Sequence, residues 1–194
     1  MIEEVAPGLR RWTVRHEEWK EEVGSLAVDT ADGLVLIDPL EPPAGLGRAE
    51  HVLLTVFFHL RSTADVGAPR VWAAKYSTRS LANRGVTVTD QVADGGLPGG
   101  IGAIQTARRA EVAYWLPEQR SVVVGDVLLG AGAKPRPTGE PLRLCPERWL
   151  GGPSHDELRA SLAPLLELPV ERVLVAHGAP VLEDARAALE RVLT

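Results

Sequence analysis

A layered α/β (α+β) sandwich is the fold this sequence predicts, on three observations. Short apolar runs at residues 34–37, 122–124 and 173–176 have the length of strands and are apolar at every position, as in strands covered on both faces. Strands crowd the first half of the chain, and strand–helix alternation appears at its end. No linker, repeat or low-complexity tract divides the 194 residues, so one domain over 1–194 is expected, with ample material for a core.

Taken in order, residues 25–28 and 34–37 are β-prone runs joined around Asp32-Gly33, a hairpin signal. Asp38-Pro39 ends the second run, and residues 42–45 read as a loop. Residues 51–58 (HVLLTVFF) predict the next strand, followed by a polar turn at 61–65. Another strand is expected at 71–74 and a short Ser-capped helix at 77–84 ending before Gly85, then a strand at 86–89. The glycine-rich stretch 95–102 reads as a loop. It lacks the Gly-Lys-Ser/Thr ending of a phosphate-binding loop. Strands follow at 101–106, 111–116 and 121–124, the last two forming a hairpin around 117–120. Residues 130–153 are rich in Gly and Pro and predict an irregular segment. Ser154 caps a helix reaching to about residue 168, with Asp156 and Glu157 in its first turn. Pro164 kinks or restarts that helix. A strand at 170–176 and an amphipathic helix at 181–193 close the chain.

Composition excludes several functions. With 45% hydrophobic and 24% charged residues the chain is globular, and a net charge of −5 leaves no basic footprint for nucleic acid or anionic membrane. The single Cys145 excludes an intrachain disulfide framework and a Cys-rich metal cluster, and reads as a bystander. The acidic start, Ile2-Glu3-Glu4, is unlike a secretory leader, and no apolar run approaches the ~20 residues of a membrane helix. A cytoplasmic location is the expectation.

Chemistry-bearing residues gather at strand ends, where side chains of layered α/β proteins converge on one rim. Asp38 follows GLVLI, His59 follows the 51–58 run and precedes Arg61, Ser62 and Asp65, Asp126 follows VVVG, and His177 follows VLVA. Taken singly, each is more often a turn or cap residue than a ligand. Ser154-His155-Asp156 is a helix cap, since adjacent residues cannot align as nucleophile, base and orienter. Arg108-Arg109 is open to an anion contact, with a solvated face the stronger reading. Trp12 and Trp19, beside the charged run 17–22, mark a candidate partner surface.

The series GLVLIDP, LLT-x-x-x-His, VVGDVLL and LVAHG resembles the metallo-β-lactamase-fold hydrolases over about residues 34–177. The resemblance implies a four-layer αββα sandwich with a metal site at the sheet rim. The family's His-x-His-x-Asp-His motif is degenerate here: Phe57, His59, Arg61 and Ser62 occupy its four named positions. No histidine lies between His59 and His155, so the family's next ligand is missing as well, whereas the bridging Asp and final His correspond to Asp126 and His177.

Three readings follow. In the first, the metal centre is lost: Arg61 pairs with Asp126, directly or through water, in place of a cation, Phe57 excludes water, and no cofactor is expected. His59, Arg61, Ser62, Asp126 and His177 then line a pocket for a small anionic ligand or serve a partner. In the second, His59, Asp126 and His177 hold one zinc or iron ion and support hydrolysis. In the third, Ser62 or Thr63 is a nucleophile with His59 or His177 as base. Neither the ligand nor the oligomeric state is legible in the residues.

Overall fold

The computed structural model describes residues 2–194. Seven strands form the larger sheet in sequence order: β1 (Ile2–Ala6), β2 (Leu9–His16), β3 (Glu21–Thr30), β4 (Gly33–Ile37), β5 (Ala49–Leu53), β6 (Arg70–Ala73) and β7 (Asp90–Gln91). The first four pair antiparallel and the remainder parallel. Helices α1 (Thr63–Val66) and α2 (Thr78–Ala82) lie in the connections flanking β6. The second sheet contains β8 (Gly102–Gln105), β9 (Val112–Leu116) and β10 (Ser121–Val124). A two-stranded ribbon, β11 (Leu128–Gly130) with β12 (Leu142–Leu144), and helix α3 (His155–Leu162) follow. Strand β13 (Arg172–Val175) then pairs parallel with β10, giving the order β13-β10-β9-β8, and helix α4 (Ala185–Leu193) ends the chain.

Three apolar clusters fix the layers. Val35 and Ile37 of β4 point inward with Leu26, Leu53 and Trp72 to meet Tyr114, Leu116, Val123 and Leu174 from the other sheet. Leu36, one residue out of phase, faces the opposite side and packs with Val52, Val71, Ala73 and Leu81 of α2. Val122, Val124, Val173 and Val175 present their outer faces to Leu158 and Leu162 of α3 and Leu189 and Leu193 of α4. Period-2 strands sandwiched between other strands and helices therefore read as continuous apolar runs, and the architecture is the αββα sandwich.

Several expected elements differ. Strands β1 and β2, unpredicted, extend the large sheet, with Trp12 buried and its indole N–H bonded to Leu40 O. The 51–58 run leaves the sheet after Leu53 and becomes a 3-10 turn at Phe57–Leu60, which drives His59 inward. The expected strand at 86–89 is a tether held through Thr89, with the strand proper at Asp90–Gln91. The expected helix 181–193 begins at Ala185, because residues 181 and 173 form a bridge that keeps the chain extended before it. The expected helix from Ser154 ends at Leu162, and Pro164 restarts it as a 3-10 turn. Within the segment 130–153, the β11–β12 ribbon and a 3-10 turn at Glu147–Trp149 replace a wholly irregular chain.

Candidate metal centre at the sheet rim

Three chain ends bring the site together. His59 comes from the 3-10 turn after β5, Asp126 follows β10 at Gly125, and His177 follows β13. One donor atom from each of the three lies within 4.8 Å of the others. His59 Nε2 is 3.1 Å and His177 Nε2 is 3.3 Å from the same oxygen, Asp126 Oδ1. His59 is wholly buried, and the approach of Asp126 is off its N–H axis, so Nε2 has no directed hydrogen-bond partner.

Each imidazole is backed by a second carboxylate. His59 Nδ1 lies 2.8 Å from Asp38 Oδ2, and His177 Nδ1 lies 3.5 Å from Glu21 Oε2. Asp38 is itself fixed, accepting the Thr55 backbone N–H at 2.9 Å and the Thr55 hydroxyl at 2.5 Å. Arg108 Nη1 bridges Asp126 Oδ2 and Glu111 Oε2, 3.2 Å from each. Glu111 is fully buried and accepts the Val127 N–H at 2.9 Å. Trp19, on the turn between β2 and β3, covers the centre with its rings 5.4 Å from His177 and 6.3 Å from His59.

The charges set one another. Burial and the Arg61 guanidinium oppose protonation of His59, yet Asp126 and Asp38 outweigh them and raise its pKa to about 9. Burial also opposes a charge on His177, but its carboxylate partners raise it above its ordinary value. Burial alone would lift Asp126; the two histidines instead hold it well below the usual carboxylate range. Glu111, pushed up by burial and then by the Asp126 charge, reaches about 7.

Several expectations are corrected. Arg61 makes no direct pair with Asp126. Its Nη1 donates to Gly24 O at 2.7 Å, Asp38 O at 2.8 Å and Ser25 Oγ at 3.3 Å, so it ties β3 to the end of β4. Its backbone sits at φ +39°, and that turn directs the side chain toward those carbonyls. The cation on Asp126 is Arg108, which sequence reasoning assigned to a solvated face; its side chain is only 13% exposed. Phe57 does not close the site: it packs on the outer face of the large sheet, and Phe58 borders the cavity instead. Ser62 accepts the Glu41 backbone N–H at 2.9 Å. Among the described residues neither Ser62 nor Thr63 hydrogen-bonds a histidine, so the nucleophile reading lacks its base. His155 bonds Cys145 O at 2.8 Å beside the capping box of Ser154 and Glu157, as expected of a cap. Trp19 was legible as a candidate partner surface and Arg108 as one of an arginine pair, neither as part of this centre; Glu21 was legible only within a charged run, and Glu111 and Lys134 carried no sequence signal.

A cavity of about 600 Å³ opens onto Asp126 and His177. Trp19, Phe58 and Trp149 form its apolar walls, and Arg108, Lys134 and Arg148 give it positive charge.

No family model matches the chain, and no curated protein matches it in sequence. Solved structures do match its fold. The metal-soaked flavodiiron core of Flv1 from Synechocystis sp. PCC6803 aligns with a TM-score of 0.70 at 15% identity, over 98% of this chain and 59% of that one. The chain thus spans less than two thirds of that core. A metallo-β-lactamase from Pontibacter korlensis aligns at 0.65 and 15% identity over 98% of both chains. The metallo-β-lactamase FIM-1 from Pseudomonas aeruginosa, in its mono-zinc form, aligns at 0.64 and 13% identity over all of this chain and 94% of that one. The chain has the metallo-β-lactamase fold, as the sequence resemblance implied.

Proposed function

We propose that the chain is a hydrolase whose centre holds one divalent zinc or iron ion on His59, Asp126 and His177. The observation that carries this is the buried His59 Nε2, which has no directed partner and faces a point shared with His177 Nε2 and Asp126 Oδ1. Two imidazoles and one carboxylate form a donor set that binds zinc or iron and leaves positions open. Second carboxylates on both histidines supply the outer support that fixes ring orientation in metal sites.

Such an ion supplies Lewis acidity, polarising a substrate oxygen and acidifying water. The remaining work falls to the chain. Asp38 and Glu21 hold His59 and His177 in the tautomer that keeps Nε2 available. Arg108 fixes one oxygen of Asp126, leaving Oδ1 turned to the histidines. Trp19 and Phe58 narrow the approach and limit water, which strengthens every charge interaction inside. Lys134 and Arg148 attract a negatively charged substrate.

The second reading, a metal-free pocket for a small anion, is favoured by the Arg108 guanidinium on Asp126. Elemental analysis separates the two. Protein incubated with zinc or ferrous iron and freed of excess should retain about one ion per chain, lost in His177→Ala. Retention of none at millimolar metal would overturn the one-ion reading and leave the metal-free one.

A further inference from the structure

A second groove adjoins the centre. Its volume is about 580 Å³, and it shares Phe58, Arg108 and Trp149 with the cavity above Asp126. Its walls carry aromatic rings that stay in water: Phe58 is 45% exposed and Tyr76 is 61% exposed. Both rings have a guanidinium over them. Arg108 Cζ lies 5.5 Å from the Phe58 centroid, and Arg109 Cζ lies 5.5 Å from that of Tyr76. Phe57 extends the platform, its ring 4.0 Å from that of Phe58.

The Arg109 charge is uncompensated. No carboxylate side chain lines this groove. Among the described residues Arg109 on this wall and Arg148 in the adjoining cavity have no carboxylate partner, while Arg108 is held by Glu111 and Asp126. A guanidinium stacked on a ring uses its face for the ring and keeps its N–H edge free for an anion. Exposed rings beside the unpaired Arg109 guanidinium suit a ligand with a planar face and a negative group. Its volume lies in the range that encloses a small organic molecule.

We infer that this groove binds a small organic anion bearing a planar ring, of about the size of a nucleoside monophosphate, and presents it to the neighbouring centre. The ring lies against Tyr76 with Phe58 beside it, and the anionic group meets the N–H edge of Arg109. This names the substrate class for the one-ion reading and rests on it only for the chemistry, because the groove itself contains none of the three donors.

Calorimetric titration with adenosine 5′-monophosphate and with 1-naphthyl phosphate tests the site, with inorganic phosphate and adenosine as controls. Each titration uses both zinc-loaded and chelator-treated protein. At least one planar anion should bind both forms ten-fold or more tighter than phosphate or adenosine. Arg109→Glu and Tyr76→Ala, both at exposed positions, should each weaken it five-fold or more while zinc retention stays at the wild-type level. Planar anions binding no tighter than phosphate, or unchanged binding in both variants, would overturn the inference. Zinc retention is read separately, so failure of the groove and failure of the metal centre give different results.

Discussion

Asp38 sits at φ +49°, a left-handed conformation that aspartate tolerates better than most residues, and it precedes a proline. That backbone turns its carboxylate beneath His59, where Thr55 supplies two further donors. Asp38 holds the ring without being a ligand itself, so Asp38→Asn should lower zinc affinity about 10- to 100-fold, measured by competition with a chromogenic chelator. His59 imposes a pH dependence on the metal-free protein. Its folded pKa, about 9, exceeds the ordinary value of 6.5, so its contribution to stability is complete below about 6.5 and is lost as pH rises through about 9. Urea unfolding of chelated protein should show stability falling across that window, and His59→Gln should flatten the fall. The same protons compete with the ion, so the stabilisation that zinc confers should grow over the same interval.

At the scale of elements, the site depends on where strands stop. The 51–58 run reads as one strand because every position after His51 except Thr55 is apolar. In the structure Leu54 still bonds Trp72 O, but Thr55 gives its N–H to the Asp38 side chain instead of a strand. The ladder therefore ends and the turn carrying His59 begins. His177 is placed by a close backbone crossing: Gly130 N–H bonds His177 O, and a Cβ on Gly178 would lie 2.6 Å from Gly130 O. Gly178 also holds φ +85°, so Gly178→Ala should combine strain with overlap and cost several kcal/mol in chemical denaturation, with loss of bound metal. Ser154→Ala provides the contrast. Removing one side of the α3 capping box should cost about 1 kcal/mol and leave metal binding unchanged.

For the whole molecule, the four layers make the rim rigid by burying both faces of the central strands of the two sheets. Leu162 of α3 is fully buried against the outer face of the small sheet and is not among the three donors. Leu162→Ala should cost about 2–5 kcal/mol of unfolding free energy while the folded protein still takes up one ion, which separates stability from site geometry. The net charge of −5 applies to the surface as a whole, whereas the groove and cavity gather Arg108, Arg109, Lys134 and Arg148 on one side. A net count could not reveal that asymmetry, because it carries no information on where the charges fold together.

What the residues alone determined was the layered fold and the three strand ends, since short apolar runs and the polar residues that stop them are local patterns. Asp126 and His177 stand out for that reason, and so does His59. Which cation meets Asp126 was decided only in three dimensions. Arg61 is near in motif, but its φ of +39° sends the guanidinium to Gly24 and Asp38, and Arg108 arrives from the loop between β8 and β9. Side-chain direction depends on backbone torsion and on packing between distant segments, and neither is written in the spacing of a motif.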